Sequence, residues 1–420
     1  MKKILHFVLK VLSKAVLAKY QPRIIAITGS VGKTSAKEAI FAILSEKYEV
    51  RRNVKNYNNE IGLPLTILNK VSAGNNLWAW CTLVVSSFFS LLILTNKKYP
   101  KILILEMGAD RPGDIAYLTS IAKPDLAVLT AIGSSHIEFF GSKFNIAKEK
   151  GTILDRLTEK DVAILNEDDE LLVPLKTKTK SLVLSFGQSE TSDVQIKNIA
   201  MIKNAFSFAT TFEIIYQNQT EEIILPGVLG QQHALAAAAA ASVALALGFN
   251  LKHIKAGLLK YQPAKGRTNL IKGIKNSWII DDTYNASPQS AKVAVDILKN
   301  IQTEGRKIAV LGDMLELGQD SESEHNALGE YIAKLEIDYL FVVGERSRDI
   351  QRGAIVAGMS EDKIYHFAHT IEAGYFLQDR IKEDDVILVK GSRGAKMEQV
   401  VYEIMAKPWE ALEVLVGPVK

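Results

Sequence analysis

One cysteine in 420 residues, Cys81, is the plainest scarcity in this chain. It excludes an internal disulfide and any cysteine-rich zinc site, and it fits a reducing compartment, so the expected location is cytoplasmic. An excess of one charge is lacking too. The 51 Lys and Arg set against 47 Asp and Glu leave a formal net charge of +4, which implies no polyanion-binding surface and no nucleic-acid partner. No internal repeat, low-complexity tract or long disordered linker interrupts the chain. Its length exceeds one ordinary core, so two or three domains are expected.

What is present begins with Ile24-Ile-Ala-Ile-Thr-Gly29-Ser-Val-Gly32-Lys33-Thr34-Ser35. An apolar strand pattern runs into a Gly-Lys-Thr loop that should open a helix, the layout of a phosphate-binding loop. Backbone N–H groups of Gly29, Ser30, Gly32 and Ser35 would face phosphate, Lys33 would reach the β- and γ-phosphates, and Thr34 would ligate Mg²⁺. ATP is the implied ligand. A full Walker loop has glycine where this chain has Ile27, so the loop is shortened.

Two apolar segments bear on membranes. Residues 1–20 carry apolar side chains at helical spacing interrupted by Lys10, Lys14 and Lys19. That pattern predicts a cationic amphipathic helix and not a signal peptide, lying either on an anionic membrane surface or on the body of the protein. Leu77 to Thr95 has no charge over nineteen residues and is long enough to span a bilayer. Spanning would put the phosphate loop and the later candidate residues on opposite sides. The expectation is therefore a helix resting on a membrane or packed against residues 1–20; a buried hairpin helix would read the same way.

From residue 23 onward, strand-like runs at Ile24–Ile27, Ile102–Leu105, Leu126–Leu129, Ala163–Leu165 and Leu182–Leu184 alternate with helical patterns. This is α/β, with a parallel sheet covered on both faces. Alternating runs at Phe206–Phe212 and Glu221–Leu225 predict an antiparallel flank, and Ala234–Leu247 an alanine-rich helix. A second alternation, at Trp278–Ile280, Lys307–Leu311, Tyr339–Val343 and Val386–Val389, predicts a Rossmann-like C-terminal domain.

Several runs in one order resemble the Mur ligase family: Thr28–Ser35, Asn56–Thr66, Leu105–Asp114, Gly133–Gly141, Ile280–Pro288, Val310–Gly318 and Lys390–Gly394. The resemblance covers about residues 23–405 and is strongest to the branch that adds D-alanyl-D-alanine to a UDP-sugar peptide. After the helix read from the residue pattern at 1–22, it implies a P-loop central parallel-sheet ATPase domain at 23–262 carrying the apolar insertion 77–95, and a Rossmann-like C-terminal domain at 263–420. The implied activity is ATP- and Mg²⁺-dependent amide ligation, ADP-forming, in peptidoglycan precursor synthesis. A UDP-N-acetylmuramoyl-tripeptide-like carboxylate would be activated as an acyl phosphate, and the amine of D-alanyl-D-alanine would attack it. A monomer is expected, with peripheral membrane contact through 1–20 and 77–95.

The resemblance also implies roles residue by residue. Lys33, Glu106, His136 and Lys150 are the candidate catalytic residues, and Thr34, Glu106, His136 and Lys150 the candidate metal ligands. Lys150 matches the lysine that the family carbamylates with CO₂, which requires a neutral amine; Lys148 lies two residues away, and a solvated face bearing Lys148, Glu149 and Lys150 is the plain alternative. Arg267 and Asp282 resemble residues that close on ATP, towards the phosphates and the ribose. Asn58, Asn59, Tyr284, Asn285, Ser287, Lys390 and Arg393 are candidate substrate contacts, Lys390 and Arg393 for a carboxylate or phosphate. Asp313, Met314, Glu316 and His325 fit family positions without an assigned role.

Three departures stand beside the resemblance. Only about twenty-two residues precede the phosphate-loop strand, where the family has a domain for the UDP-sugar, so a different and even lipid-linked carboxylate is the alternative substrate. Gly230-Gln231-Gln232-His233-Ala234 stands where the family usually shows Gly-x-His-Asn or Gly-x-His-Gln, which predicts an altered adenine contact. Ser287 replaces a common Asn. A nucleotide-binding membrane-surface scaffold would bind ATP without acceptor-dependent phosphate release, and a phosphotransferase would yield a phosphorylated product.

Overall fold

The computed structural model describes residues 2–54, 57–93, 99–133, 137–203 and 207–417. The chain forms two compact units. The first comprises Met1–Ile199, Thr211–Leu225 and Gln231–Gln262, the second Ala200–Thr210, Pro226–Gly230 and Pro263–Lys420. Residues 1–22 thus belong to the first unit, and two short stretches before residue 262 belong to the second. Linear reading of the sequence does not show either assignment.

A nine-stranded sheet organises the first half of the chain. Its strands are β1 (Arg23–Thr28), β2 (Val50–Arg52), β3 (Ile102–Glu106), β4 (Leu126–Leu129), β5 (Val162–Asn166), β6 (Leu182–Gly187), β7 (Val194–Lys203), β8 (Phe208–Tyr216) and β9 (Gln219–Pro226). Their order is β2-β3-β1-β4-β5-β6-β7-β8-β9, and β2 through β7 pair in parallel. The apolar runs explain this: every residue of β3 and β4 is buried, and all of β1 but Arg23, as strands covered on both faces require. Register sets the site, because Ile27 pairs with Glu106 and Thr28 with Leu129. Three strands therefore end together at the carboxyl edge, where parallel sheets place ligands. On the flank, β8 and β9 are joined by Gln217 and Asn218, both at positive φ, as a two-residue hairpin turn demands. The expected strand start at Phe206 lies outside the described residues, and β8 begins at Phe208.

The first unit's helices are α1 (Lys2–Tyr20), α2 (Lys33–Leu44), α3 (Gly62–Leu68), α4 (Leu77–Ile93), α5 (Asp114–Ile121), α6 (Ile137–Phe140), α7 (Lys143–Gly151), α8 (Gln231–Ala246) and α9 (Leu251–Leu258). Alanines 236 to 241 of α8 are all buried, and their small side chains let α2 pack closely on that helix. The inner face of α1, with Leu9 and Val16, and Leu83 of α4 join the core under β1 and β3. Packing of α4 against α1 is one of the arrangements expected from sequence; Leu94 and Thr95 lie outside the described residues. No described helix is long and apolar enough to cross a membrane.

In the second unit a six-stranded sheet contains β10 (Asn269–Lys272), β11 (Trp278–Asp282), β12 (Lys307–Gly312), β13 (Tyr339–Val343), β14 (Ile364–Phe367) and β15 (Val386–Lys390). The order is β10-β11-β15-β12-β13-β14. Only β10 is antiparallel, an edge strand with weak apolar patterning that sequence analysis missed. Its α-helices are α10 (Pro288–Asn300), α11 (Ser321–Ala333), α12 (Arg348–Val356), α13 (Thr370–Arg380), α14 (Glu398–Ile404) and α15 (Ala411–Val414). Separate apolar clusters form, one around Leu298, Leu328 and Leu388 and one around Val310, Leu377 and Val400. Lys390 pairs with Asp282 on one side and Leu311 on the other, so the candidate residues again gather where parallel strands end.

Candidate active site

The phosphate loop is built by β1, α2 and the chain following β4. Ile27 is fully buried inside β1, so the turn begins only at Gly29. There the backbone stands at φ +149°, and a Cβ would meet Thr130 Oγ1 at 2.1 Å; Gly32, at φ +86°, caps α2. Both positions demand glycine. Ser30 N–H donates to the Ala131 carbonyl at 2.6 Å, and Thr130 Oγ1 donates to the Val31 carbonyl at 2.5 Å. The loop thus lies against the β4 edge. Lys33 Nζ curls back to donate to the carbonyls of Gly29 at 2.8 Å and Ser30 at 3.3 Å. The N-terminus of α2, with its partial positive charge, faces the same loop.

Glu106, at the end of β3, is buried beside it. Thr34 Oγ1 donates to Oε2 at 3.0 Å and Asn58 Nδ2 to Oε1 at 3.2 Å. Lys37 Nζ stands 3.6 Å from Oε2 and donates to the Asn53 carbonyl at 3.1 Å. Asn53 Oδ1 in turn accepts the Glu106 N–H at 2.5 Å. Burial alone would raise the carboxyl pKa, but the charges of Lys37 and Lys33 and the hydrogen bonds from Thr34 and Asn58 outweigh it and hold the pKa below the ordinary value. Lys37 and Asn53 were missed from sequence. A signal existed for the first, since Thr34 and Lys37 share a helix face at i, i+3. Asn59 does something else than Asn58: exposed, it accepts the N–H groups of Ile61 at 3.2 Å and Gly62 at 2.9 Å and so starts α3.

Helix α7 divides the charged residues of its last turns, 148 to 150. Lys148 is exposed, while Glu149 and Lys150 are buried, which corrects the reading of a uniformly solvated face. Glu149 accepts the N–H groups of Gly113 at 2.8 Å and Ile115 at 3.0 Å, securing the start of α5. Burial lowers the Lys150 pKa to about 7; the Lys33 charge pushes the same way, and Glu149 and Asp110 only partly oppose it. A near-neutral amine thus lies within the field of the phosphate-loop lysine. His136 lies outside the described residues, and among those described no group of three His, Cys, Asp or Glu converges.

Behind the loop, His233 Nδ1 and the Tyr261 hydroxyl are 2.8 Å apart and both buried, and Tyr261 also hydrogen-bonds Ser35. The altered run at 230–234 therefore has a packing role in this unit.

In the second unit, the Arg267 guanidinium stacks over the Tyr284 ring, 4.1 Å from its centroid. Lys390 is buried, donating to Asp282 Oδ2 at 2.6 Å and to the Asn285 carbonyl at 2.8 Å. Its ammonium thus braces the 282–285 loop. Asp282 Oδ1 accepts Thr268 N–H at 3.2 Å. Ser287 caps α10 in a reciprocal arrangement with Ser290, Asn285 is exposed, and Arg393 pairs with Glu398 at 2.7 Å. Asp313 accepts Ser347 N–H at 2.8 Å. His325, wholly buried, accepts Met314 N–H at Nε2 and faces the Ser321 carbonyl with Nδ1, so it pins the loop after β12. Met314 is buried there, and Glu316 is exposed at φ +64°.

Comparison with known proteins agrees with this layout. Residues 27–80 and 88–244 match the Mur ligase middle domain, and 266–393 match the Mur ligase, glutamate ligase domain. The UDP-N-acetylmuramoyl-tripeptide--D-alanyl-D-alanine ligase of Bacillus subtilis (strain 168) is 31% identical over 403 residues, 95% of this chain and 79% of that protein. A crystal structure of MurF from Acinetobacter baumannii superposes with a TM-score of 0.79 at 30% identity, covering 94% of this chain and 79% of that one. The MurF ligase of Thermotoga maritima in complex with ADP gives 0.76 at 30% identity, covering 95% and 83%.

Proposed function

The chain belongs to the Mur ligase family, and we propose that it joins D-alanyl-D-alanine to the terminal carboxylate of a UDP-N-acetylmuramoyl-tripeptide in peptidoglycan precursor synthesis. The carboxylate attacks the γ-phosphorus of ATP and ADP leaves. The dipeptide amine then attacks the acyl phosphate, expelling phosphate and losing one proton to form the amide. The need for ATP puts this reaction in the cytoplasm, and the reading takes the enzyme to work as a monomer.

The observation that carries the reading is the buried Glu106 at the phosphate loop, held by Thr34 and Asn58; Lys150 is buried as well, and burial with the Lys33 charge lowers its pKa to about 7. In its neutral form it adds to CO₂ and loses a proton, turning a cation into a carbamate anion. With the ionised Glu106 and the Thr34 hydroxyl, such a carbamate would make an oxygen-rich set of the kind Mg²⁺ prefers, and these residues would hold the ion. Bound Mg²⁺ would neutralise charge on the phosphate oxygens. Lys33 and the α2 N-terminus bind phosphate, and Asn58 orients Glu106. For the second unit the reading assigns Arg267 and Asp282 to ATP, and Tyr284, Asn285 and Arg393 to the dipeptide. Lys390 and Ser287 shape the loop that carries them.

The test incubates the protein with ATP, Mg²⁺, D-alanyl-D-alanine and UDP-N-acetylmuramoyl-tripeptide, following phosphate release and product mass, with Lys150→Ala as control. A pentapeptide product that needs every component and disappears in the variant is expected. ATP binding without product, from this donor or a lipid-linked one, would sink the reading.

A further inference from the structure

We infer that the first unit docks on an anionic lipid bilayer through the outer faces of α1 and α4. On α1, Ile4, Phe7, Val11, Lys14 and Ala18 are exposed. Their spacing of three and four residues puts them on one stripe, opposite the buried Leu9, Ser13 and Val16. On α4 the exposed stripe is Trp78, Cys81, Val85, Phe88 and Phe89. Trp78 is 83% exposed and Phe7 66%, unusual for side chains of this size. The helices lie side by side, and the Lys19 ammonium donates to the Leu91 carbonyl between them. Each of these two neighbouring helices presents an exposed apolar stripe.

Two further features identify lipid as the occupant. Helix α4 carries no charged residue, and its hydroxyls are consumed inside the helix. Thr82 donates to the Trp78 carbonyl at 2.9 Å, Ser86 and Ser87 to Leu83 at 3.0 and 2.7 Å, and Ser90 to Ser86 at 2.7 Å. Such a helix enters a low-dielectric layer without stranding a polar side chain. The other flank of α1 is cationic. Lys10 donates to Ser120 Oγ at 2.8 Å, and burial, followed by the charges of Lys14 and Arg156, lowers its pKa. A cavity of about 460 Å³ opens there, lined by Lys14, Lys123 and Arg156 against one carboxylate, Asp155; Lys123 is also bound to Asp161. Phosphate headgroups suit this flank while the aromatic side chains enter the acyl boundary. A second copy of the chain is a poorer partner, because a symmetric contact would press the same lysines together. The match to the Mur ligase middle domain begins at residue 27, after α1, and breaks over 81–87, inside α4. None of the residues on this face belongs to the ligase site described above.

The experiment sediments the full chain with vesicles of phosphatidylglycerol and phosphatidylcholine, and with phosphatidylcholine alone. Binding to the anionic vesicles is expected, with a blue shift of tryptophan emission that Trp78→Phe diminishes. Lys14→Gln should weaken it about fivefold, the effect of one cation near an anionic surface, and Phe88→Ser with Phe89→Ser should abolish it. All these positions are exposed, so unchanged melting temperature and unchanged turnover of soluble substrates verify that the variants fold. Equal binding to both vesicles, binding to neither, or a dimer that the phenylalanine variant dissociates would each overturn the inference.

Discussion

The Lys37 ammonium stands 3.6 Å from the Glu106 carboxylate, and both side chains are almost wholly withdrawn from solvent. Their charges offset one another, and Lys37 is the strongest of the influences that keep Glu106 ionised. Lys37→Met would leave a buried anion short of its counter-ion, costing about 3 to 5 kcal/mol in urea denaturation. Glu106 holds a depressed native pKa, so its stabilisation exists above the unfolded pKa and is lost as pH falls through the native one. In the variant the native pKa rises, and acid unfolding should begin at higher pH. An unchanged acid transition would show that the pair is not coupled.

Lys150 predicts how activity follows pH. Its native pKa, lowered to about 7, lies below the unfolded value, so below pH 7 the folded state carries the full cost of a buried ammonium, and stability rises between pH 7 and the ordinary lysine range. In CO₂-depleted buffer turnover should be low at every pH, and added bicarbonate should restore it above about pH 7, where the amine is neutral and can take up CO₂, but progressively less below it, where the amine is protonated. Lys150→Met should lose turnover entirely while melting a few degrees higher at pH 6. A melting temperature below that of the unaltered protein at pH 6 would contradict the assigned cost.

Gly29→Ala would force a Cβ into Thr130 Oγ1, 2.1 Å away, at a backbone angle that side chains seldom adopt. We expect a loss of about 2 kcal/mol or more of stability and ATP affinity weakened at least tenfold, read by calorimetry. Thr130→Ala added to it should restore only part, because the Ala131 backbone also lies within 3.2 Å. Wild-type ATP binding in the single variant would refute this account of the loop.

Ser287 separates capping from substrate contact. As the N-cap of α10, its replacement by Ala should cost about 1 kcal/mol, and Ser287→Asp should recover most of that. The KM for D-alanyl-D-alanine should change less than twofold in both variants. A large KM increase at unchanged stability would instead place the hydroxyl on the dipeptide.

Residue order alone determined the parallel strands, because runs such as Ile102–Leu105 are apolar at every position and only a sheet covered on both faces buries them. It likewise determined the phosphate loop, whose glycines, lysine and threonine are neighbours in the chain, and the placement of Glu106 at a strand end. Tertiary structure decided the rest, since distant segments meet only when the sheet forms. Lys37 reads as a solvated helix lysine until β3 brings Glu106 beside it, and only the register of β11 and β15 brings Lys390 against Asp282. Lys148 and Lys150 look equivalent in sequence. Only packing withdraws Lys150 from water and changes its chemistry, because the cost of desolvating a charge depends on what surrounds it and not on its neighbours in the chain.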